Sequence, residues 1–169
     1  MEIKLKPISR DGIASAISKA ELYRYLNEPG EAESICQDIL ALEPDNQTAL
    51  RLLGLAITDQ FTGKMSDRYA DAARAFKGLR SEYERAYYSG LLQERKAKTQ
   101  LQAGRPPHTV LPIFEEAMRF FEEAERVRPP DNDDAILRWN RCVRLLQTRG
   151  GGEWEKQMEH FDASEGPPV

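Results

Sequence analysis

The chain is poor in the residues that build most enzyme centres. It has two cysteines, Cys36 and Cys142, and two histidines, His108 and His160, in 169 residues. Two cysteines make no disulfide framework, and two histidines leave little for a histidine-rich metal site. β-Branched residues are also scarce: valine occurs 4 times and threonine 6, against 18 alanines and 17 leucines. Alanine and leucine lose little side-chain freedom in a helix, while β-branched residues lose more. The composition is therefore all-α and argues against sheet-rich folds. No run of about 18 apolar residues exists, so no membrane insertion is expected. The opening MEIKLKPISRDG has basic residues but no apolar stretch after them, and does not read as a signal peptide. A cytoplasmic location is expected.

The net charge of -4 is confined to one end. After Gly150 the carboxylates Glu153, Glu155, Glu159, Asp162 and Glu165 face one cation, Lys156, and residues 1–149 balance to zero. A neutral body with an acidic end lacks the basic stripe that phosphate backbones need, so nucleic acid is not an expected partner. The length suits one domain. The division expected is a helical domain over 1–149 and a mobile acidic tail over 150–169.

Proline is absent between Pro44 and Pro106, which leaves room for long helices. Ser81 and Glu84 fit a capping box. Thr109 precedes Val110-Leu111-Pro112, which would put a proline in a first turn, where its missing N–H is harmless; Asn27-Glu28-Pro29 does the same. Gly104 before Pro106 reads as a helix end. Seven helices are predicted, near 12–26, 28–41, 46–61, 67–80, 82–103, 110–127 and 132–148.

These helices pair, and the pairs share a spacing. Ala32, Cys36 and Pro44 are separated by 4 and 8 residues, as are Ala117, Phe121 and Pro129. The middle pair carries Leu53-Gly54, then Ala72 and Phe76, with Glu84 in the place of the proline. Small residues should meet where the helices of a pair cross: Ala20 against Ala32, Gly54 against Ala72, Gly90 against Ala117. Larger ones, including Leu22, Tyr23, Ile39, Phe76 and Phe121, should fill the space between pairs.

The pattern resembles the tetratricopeptide repeat (TPR), a helix–turn–helix unit of about 34 residues. The resemblance covers about 11–148 and implies an α-solenoid of about three and a half helix pairs. Extra residues fall near FTGKMSDR in the second pair and KAKTQLQAGRPPHTV in the third. Trp139 stands where the family has a small residue and could cap an exposed end.

The resemblance also implies a function: a scaffold or adaptor that binds a peptide or protein along a concave surface made by the first helices. That surface would offer Tyr25, Arg51, Tyr87, Leu91, Arg95 and Asn140, with Arg51, Tyr87 and Arg95 as the favoured anchors, since aromatics and arginines dominate interface energetics. One alternative is a TPR-type chaperone for secreted substrates; another is a helical regulatory protein or enzyme. The lysine–asparagine–arginine clamp of one family subtype is missing, since Ile17, Glu21, Thr48, Leu52, Glu84 and Tyr88 stand near its places.

No catalytic residues, cofactor or metal ligands are expected. Cys36 and Cys142 sit at helical spacing among apolar residues, where a free thiol behaves as a small hydrophobe. Asp131, Asp133 and Asp134 lack the glycine and distant glutamate of a calcium loop and read as helix caps. Trp154, Met158 and Phe161 share one helical face within the acidic segment, which reads mainly as a solubilising tail and otherwise as a segment that docks in a groove. The oligomeric state is not legible.

Overall fold

The computed structural model describes residues 3–63 and 66–150; the side chains of 66, 67, 149 and 150 and all of 151–169 lie outside that description. The tail expected over 150–169, with Trp154, Met158 and Phe161, therefore falls outside the described residues. Within them every regular element is helical and no strand occurs. A 3-10 turn at Arg10–Gly12 leads into α1 (Ile13–Tyr25), α2 (Pro29–Leu42), α3 (Gln47–Asp59), α4 (Ser66–Lys77), α5 (Glu82–Gln102), α6 (Pro107–Arg126) and α7 (Asp134–Gly150). The all-α expectation and the count of seven helices hold for the described residues.

Local chemistry sets the helix ends. Asn46 caps α3, its Oδ1 accepting from the Ala49 N–H at 3.0 Å. Pro29 opens α2 with its fixed φ. The Ser81 hydroxyl accepts from the Glu84 N–H at 3.2 Å. The reciprocal half of the expected capping box is not made, because the Glu84 carboxylate takes a bond from Arg51 instead. Gly104 has φ +79°, and the Gly104 and Arg105 N–H groups reach back to the Leu101 and Gln100 carbonyls, closing α5.

The start of α6 departs from expectation. Pro107, not Pro112, stands in the first turn, and Pro112 lies inside the helix. The Thr109 hydroxyl donates to the Pro106 carbonyl at 2.7 Å, winding the chain one turn earlier than predicted.

The chain divides into two compact units, Met1–Arg85 and Ala86–Val169, with the boundary in the first turn of α5. In the first unit α2 packs against both α1 and α3, and α3 packs against α4. Ala20 and Ala32 are both fully buried and share a cluster with Cys36, Leu52 and Ala56. Ile13, Ile39 and Ala49 form a second cluster beside it. A Cβ placed on Gly54 would lie 2.3 Å from Cε1 of Phe76. Gly54 is thus covered by the Phe76 ring one turn beyond Ala72, the residue expected there.

Ion pairs between elements of this unit fall at two close offsets in number. Arg24–Asp59, Glu33–Arg68 and Asp45–Arg80 each join residues 35 apart, and Arg51–Glu84 joins residues 33 apart. They come from α1, α2, the α2–α3 loop and α3 respectively. A shift of 33 to 35 in number therefore links each of these elements to one it contacts.

The second unit is built on Ala97, Val110, Phe114, Ala117, Phe121, Cys142 and Leu145. A Cβ on Gly90 would meet the Phe121 ring at 2.7 Å and the Ala117 carbonyl at 3.1 Å. This is the close crossing expected of Gly90 and Ala117, with the phenylalanine again lying over the glycine. Trp139, expected to cap an exposed end, packs half-buried against this core.

Candidate interaction surfaces

Two of the six expected anchors lie in the first unit. Tyr25, at the end of α1, is 89% exposed. Leu22 and Leu26, one turn before it and one residue after, are 53% and 57% exposed. Positions three and four apart share a helix face, so these three side chains form one uncovered apolar patch. Leu22 was expected to fill space between helix pairs. That assignment is corrected: α1 contacts α2, α3 and the 3-10 turn on its other faces. Beside the patch, Arg24 is held by Asp59 at 2.8 Å.

Arg51 is half-buried, and its Nη1 donates to Oε1 of Glu84 at 2.8 Å. A partner carboxylate would have to displace Glu84 to reach it. Sequence reasoning missed this because Glu84 has a full role as an N-terminal helix residue, and its second use depends on which helix lies beside it.

The other four anchors lie in the second unit. Leu91 is only 2% exposed. The expectation that Leu91 offers an open contact surface is corrected: its side chain is core. Tyr87 is half-buried, with its ring 6.0 Å from Phe121 and edge-on to Tyr88 at 5.0 Å. It also accepts a side-chain hydrogen bond from Arg138. Arg95 and Asn140 are half-buried, and the Arg95 carbonyl accepts from the Thr99 hydroxyl at 2.9 Å.

A polar cluster sits behind Tyr87. Glu94 on α5 is fully buried, which nothing in the sequence reading anticipated. Lys98, one turn on, pairs with its Oε1, and Arg138 from α7 approaches its Oε2 at 3.5 Å. Burial works against the Arg138 charge, but the Tyr87 hydrogen bond and the Glu94 carboxylate outweigh it and raise its pKa above the usual value. The four-residue spacing of Glu94 and Lys98 is that of an ordinary helix-surface pair, yet here the carboxylate is buried while Lys98 and Arg138 stay partly exposed.

Both cysteines are fully buried, and burial pushes each thiol up to about 12. A thiol so raised stays protonated at neutral pH and is a poor nucleophile. Among the described residues no group of three or more His, Cys, Asp or Glu is placed to hold a metal. The run Asp131–Asp134 does local work instead: Asn132 Oδ1 accepts from the Asp134 N–H at 3.0 Å, and Asp133 pairs with Arg128.

A cleft of about 310 Å³ opens between α2, α3 and α4. Leu50, Leu53 and Ile57 line its floor, and Glu33, Arg68 and Asp71 its rim. Arg68 bridges the two carboxylates, at 2.6 Å to Glu33 and 3.7 Å to Asp71, and Arg74, also lining the cleft, pairs with Asp71 at 3.1 Å, so two cations balance two anions.

No described helix is long and apolar enough to cross a membrane. Compared with known proteins, the chain matches no family model and no curated protein.

Proposed function

We propose that this protein is an interaction module of the tetratricopeptide type, which binds a protein or peptide partner and carries out no chemistry of its own. The repeat reading is supported by the 35-residue offset shared by three ion pairs. In stacked copies of one helix pair, equivalent positions sit on adjacent elements, so long side chains one period apart can meet. The aromatic-over-glycine crossings at Gly54–Phe76 and Gly90–Phe121 point the same way. The raised cysteine pKa values leave no ready nucleophile among the described thiols.

The observation that carries the binding reading is the Leu22–Tyr25–Leu26 patch on α1. Tyrosine is a residue type enriched at interfaces, and the two leucines beside it extend the exposed apolar area that a partner can cover. The expected groove through Tyr87 and Leu91 gives way to this surface, because those two side chains serve their own unit.

Affinity capture with the full chain, side by side with a Leu22→Ser, Tyr25→Ser variant, tests the reading. The expected result is a partner held by the wild type and lost by the variant, with circular dichroism unchanged. Identical capture by both chains would remove the patch from the proposal.

A further inference from the structure

We infer that the outward stripe of α7, formed by Leu137, Arg141 and Arg144, is a second docking surface that takes an acidic peptide bearing an apolar side chain. It lies in the other unit from the α1 patch and goes beyond the reading given above.

The sequence concentrates positive charge here. Helix α7 holds four arginines against the single carboxylate of Asp134, in a chain whose net charge is -4. Helical geometry then sorts them. Ala135, Cys142 and Leu145 are buried, and Trp139 and Leu146 pack against the same core. With 3.6 residues per turn, Leu137, Arg141 and Arg144 fall together on the opposite side. Leu137 is 62% exposed, and both arginines are exposed.

Several other arginines are paired across elements. Arg24, Arg51, Arg68 and Arg138 each face a carboxylate of another element. Among the described residues, Arg141 and Arg144 make no ion pair. Like charges one turn apart repel and weaken a helix. A ligand that brings carboxylates relieves this repulsion, and each guanidinium can hold one in a bidentate, charge-assisted bond. Leu137, in line with them, supplies apolar area that a partner's leucine or phenylalanine can cover, drying the charged contacts beside it.

Nucleic acid fits less well. A phosphate backbone could pair with the two arginines but would leave Leu137 without a role.

The test uses the full chain and fluorescence anisotropy. The probe is a short labelled peptide of glutamates interrupted by leucines. Its controls are a glutamine-for-glutamate version, a serine-for-leucine version and a labelled oligothymidylate. The wild type should bind the acidic peptide and neither peptide control. Arg141→Gln with Arg144→Gln should raise Kd about tenfold or more, the scale of losing central arginine anchors, with the helical signal unchanged. Leu137→Ser should raise it several-fold, while Leu22→Ser with Tyr25→Ser should leave it alone. That last variant separates a failure here from a failure of the α1 reading. Wild-type binding retained by the double arginine variant, or no binding by the wild type, would overturn the inference. So would tighter binding of the oligothymidylate, which would make this a nucleic-acid face. Binding seen only after Glu159→Gln with Asp162→Asn would assign the stripe to the chain's own acidic segment and equally exclude an outside partner.

Discussion

At the scale of single residues, the two close crossings depend on the missing Cβ of a glycine. Gly54→Ala would put a methyl 2.3 Å from the Phe76 ring, so the ring must move or the helices must part. Overpacking of this kind costs about 1–3 kcal/mol, and the urea midpoint should fall accordingly. Gly30→Ala is the contrast. Its new Cβ finds only Gln60 Oε1 at 3.9 Å, and alanine inside a helix is better than glycine by about 0.5–1 kcal/mol, so its midpoint should hold or rise. The cysteines add a pH signature. An unfolded thiol ionises near 9.0, whereas the folded ones ionise at about 12. Between those values the unfolded state binds fewer protons, so stability falls as pH rises through that window and is intact below it. Cys36→Ala with Cys142→Ala should flatten this alkaline decline in a series of thermal midpoints.

At the scale of elements, the α5–α7 contact through Glu94 and Arg138 is asymmetric. Arg138→Met would leave a fully buried carboxylate with Lys98 as its remaining partner, at a cost of about 3 kcal/mol. Glu94→Leu would leave two cations whose side chains are already 35% and 28% exposed, and those can turn to water. Its cost should be about 1 kcal/mol or less. Chemical denaturation of both variants checks the order; a costlier Glu94→Leu would mean that the carboxylate holds the two helices together. Helix α6 offers a second case. Pro112 removes a backbone donor inside the helix, and proline there is unfavourable by up to about 3 kcal/mol relative to alanine. Pro112→Ala should raise the midpoint, which would not happen had Pro112 stood in the first turn as the sequence suggested.

At the scale of the whole molecule, the two surfaces differ in physics, and salt should separate them. The α7 stripe works through exposed charges, which are screened beyond about 8 Å at physiological ionic strength and more strongly above it. Acidic-peptide binding should therefore weaken steeply as salt is raised. Capture at the α1 patch rests on apolar burial and should hold or strengthen under the same titration. A partner of the α1 patch released by moderate salt would show that its contact is ionic.

Much of the architecture was legible beforehand, because it depends on near-neighbour chemistry. Alanine and leucine excess, caps such as Ser81 and the glycine at 104 act within a few residues, so the helices and most of their ends could be read directly. The crossings at Gly54 and Gly90 were legible too, as small residues at a repeated spacing, although it is Phe76 and not Ala72 that lies over Gly54. The roles of individual side chains were not. Tyr87, Leu91 and Arg51 carry residue types common to binding surfaces and to cores alike. Which they serve depends on what another helix brings against them: Arg138 and Phe121 to Tyr87, Glu84 to Arg51. The converse holds for Leu22, which has the pattern of a packing residue and is left uncovered because α1 meets its neighbours on other faces. The partners that decide these roles lie 33 to 51 residues away in number, and a periodic pattern states only that such contacts exist, not which faces make them.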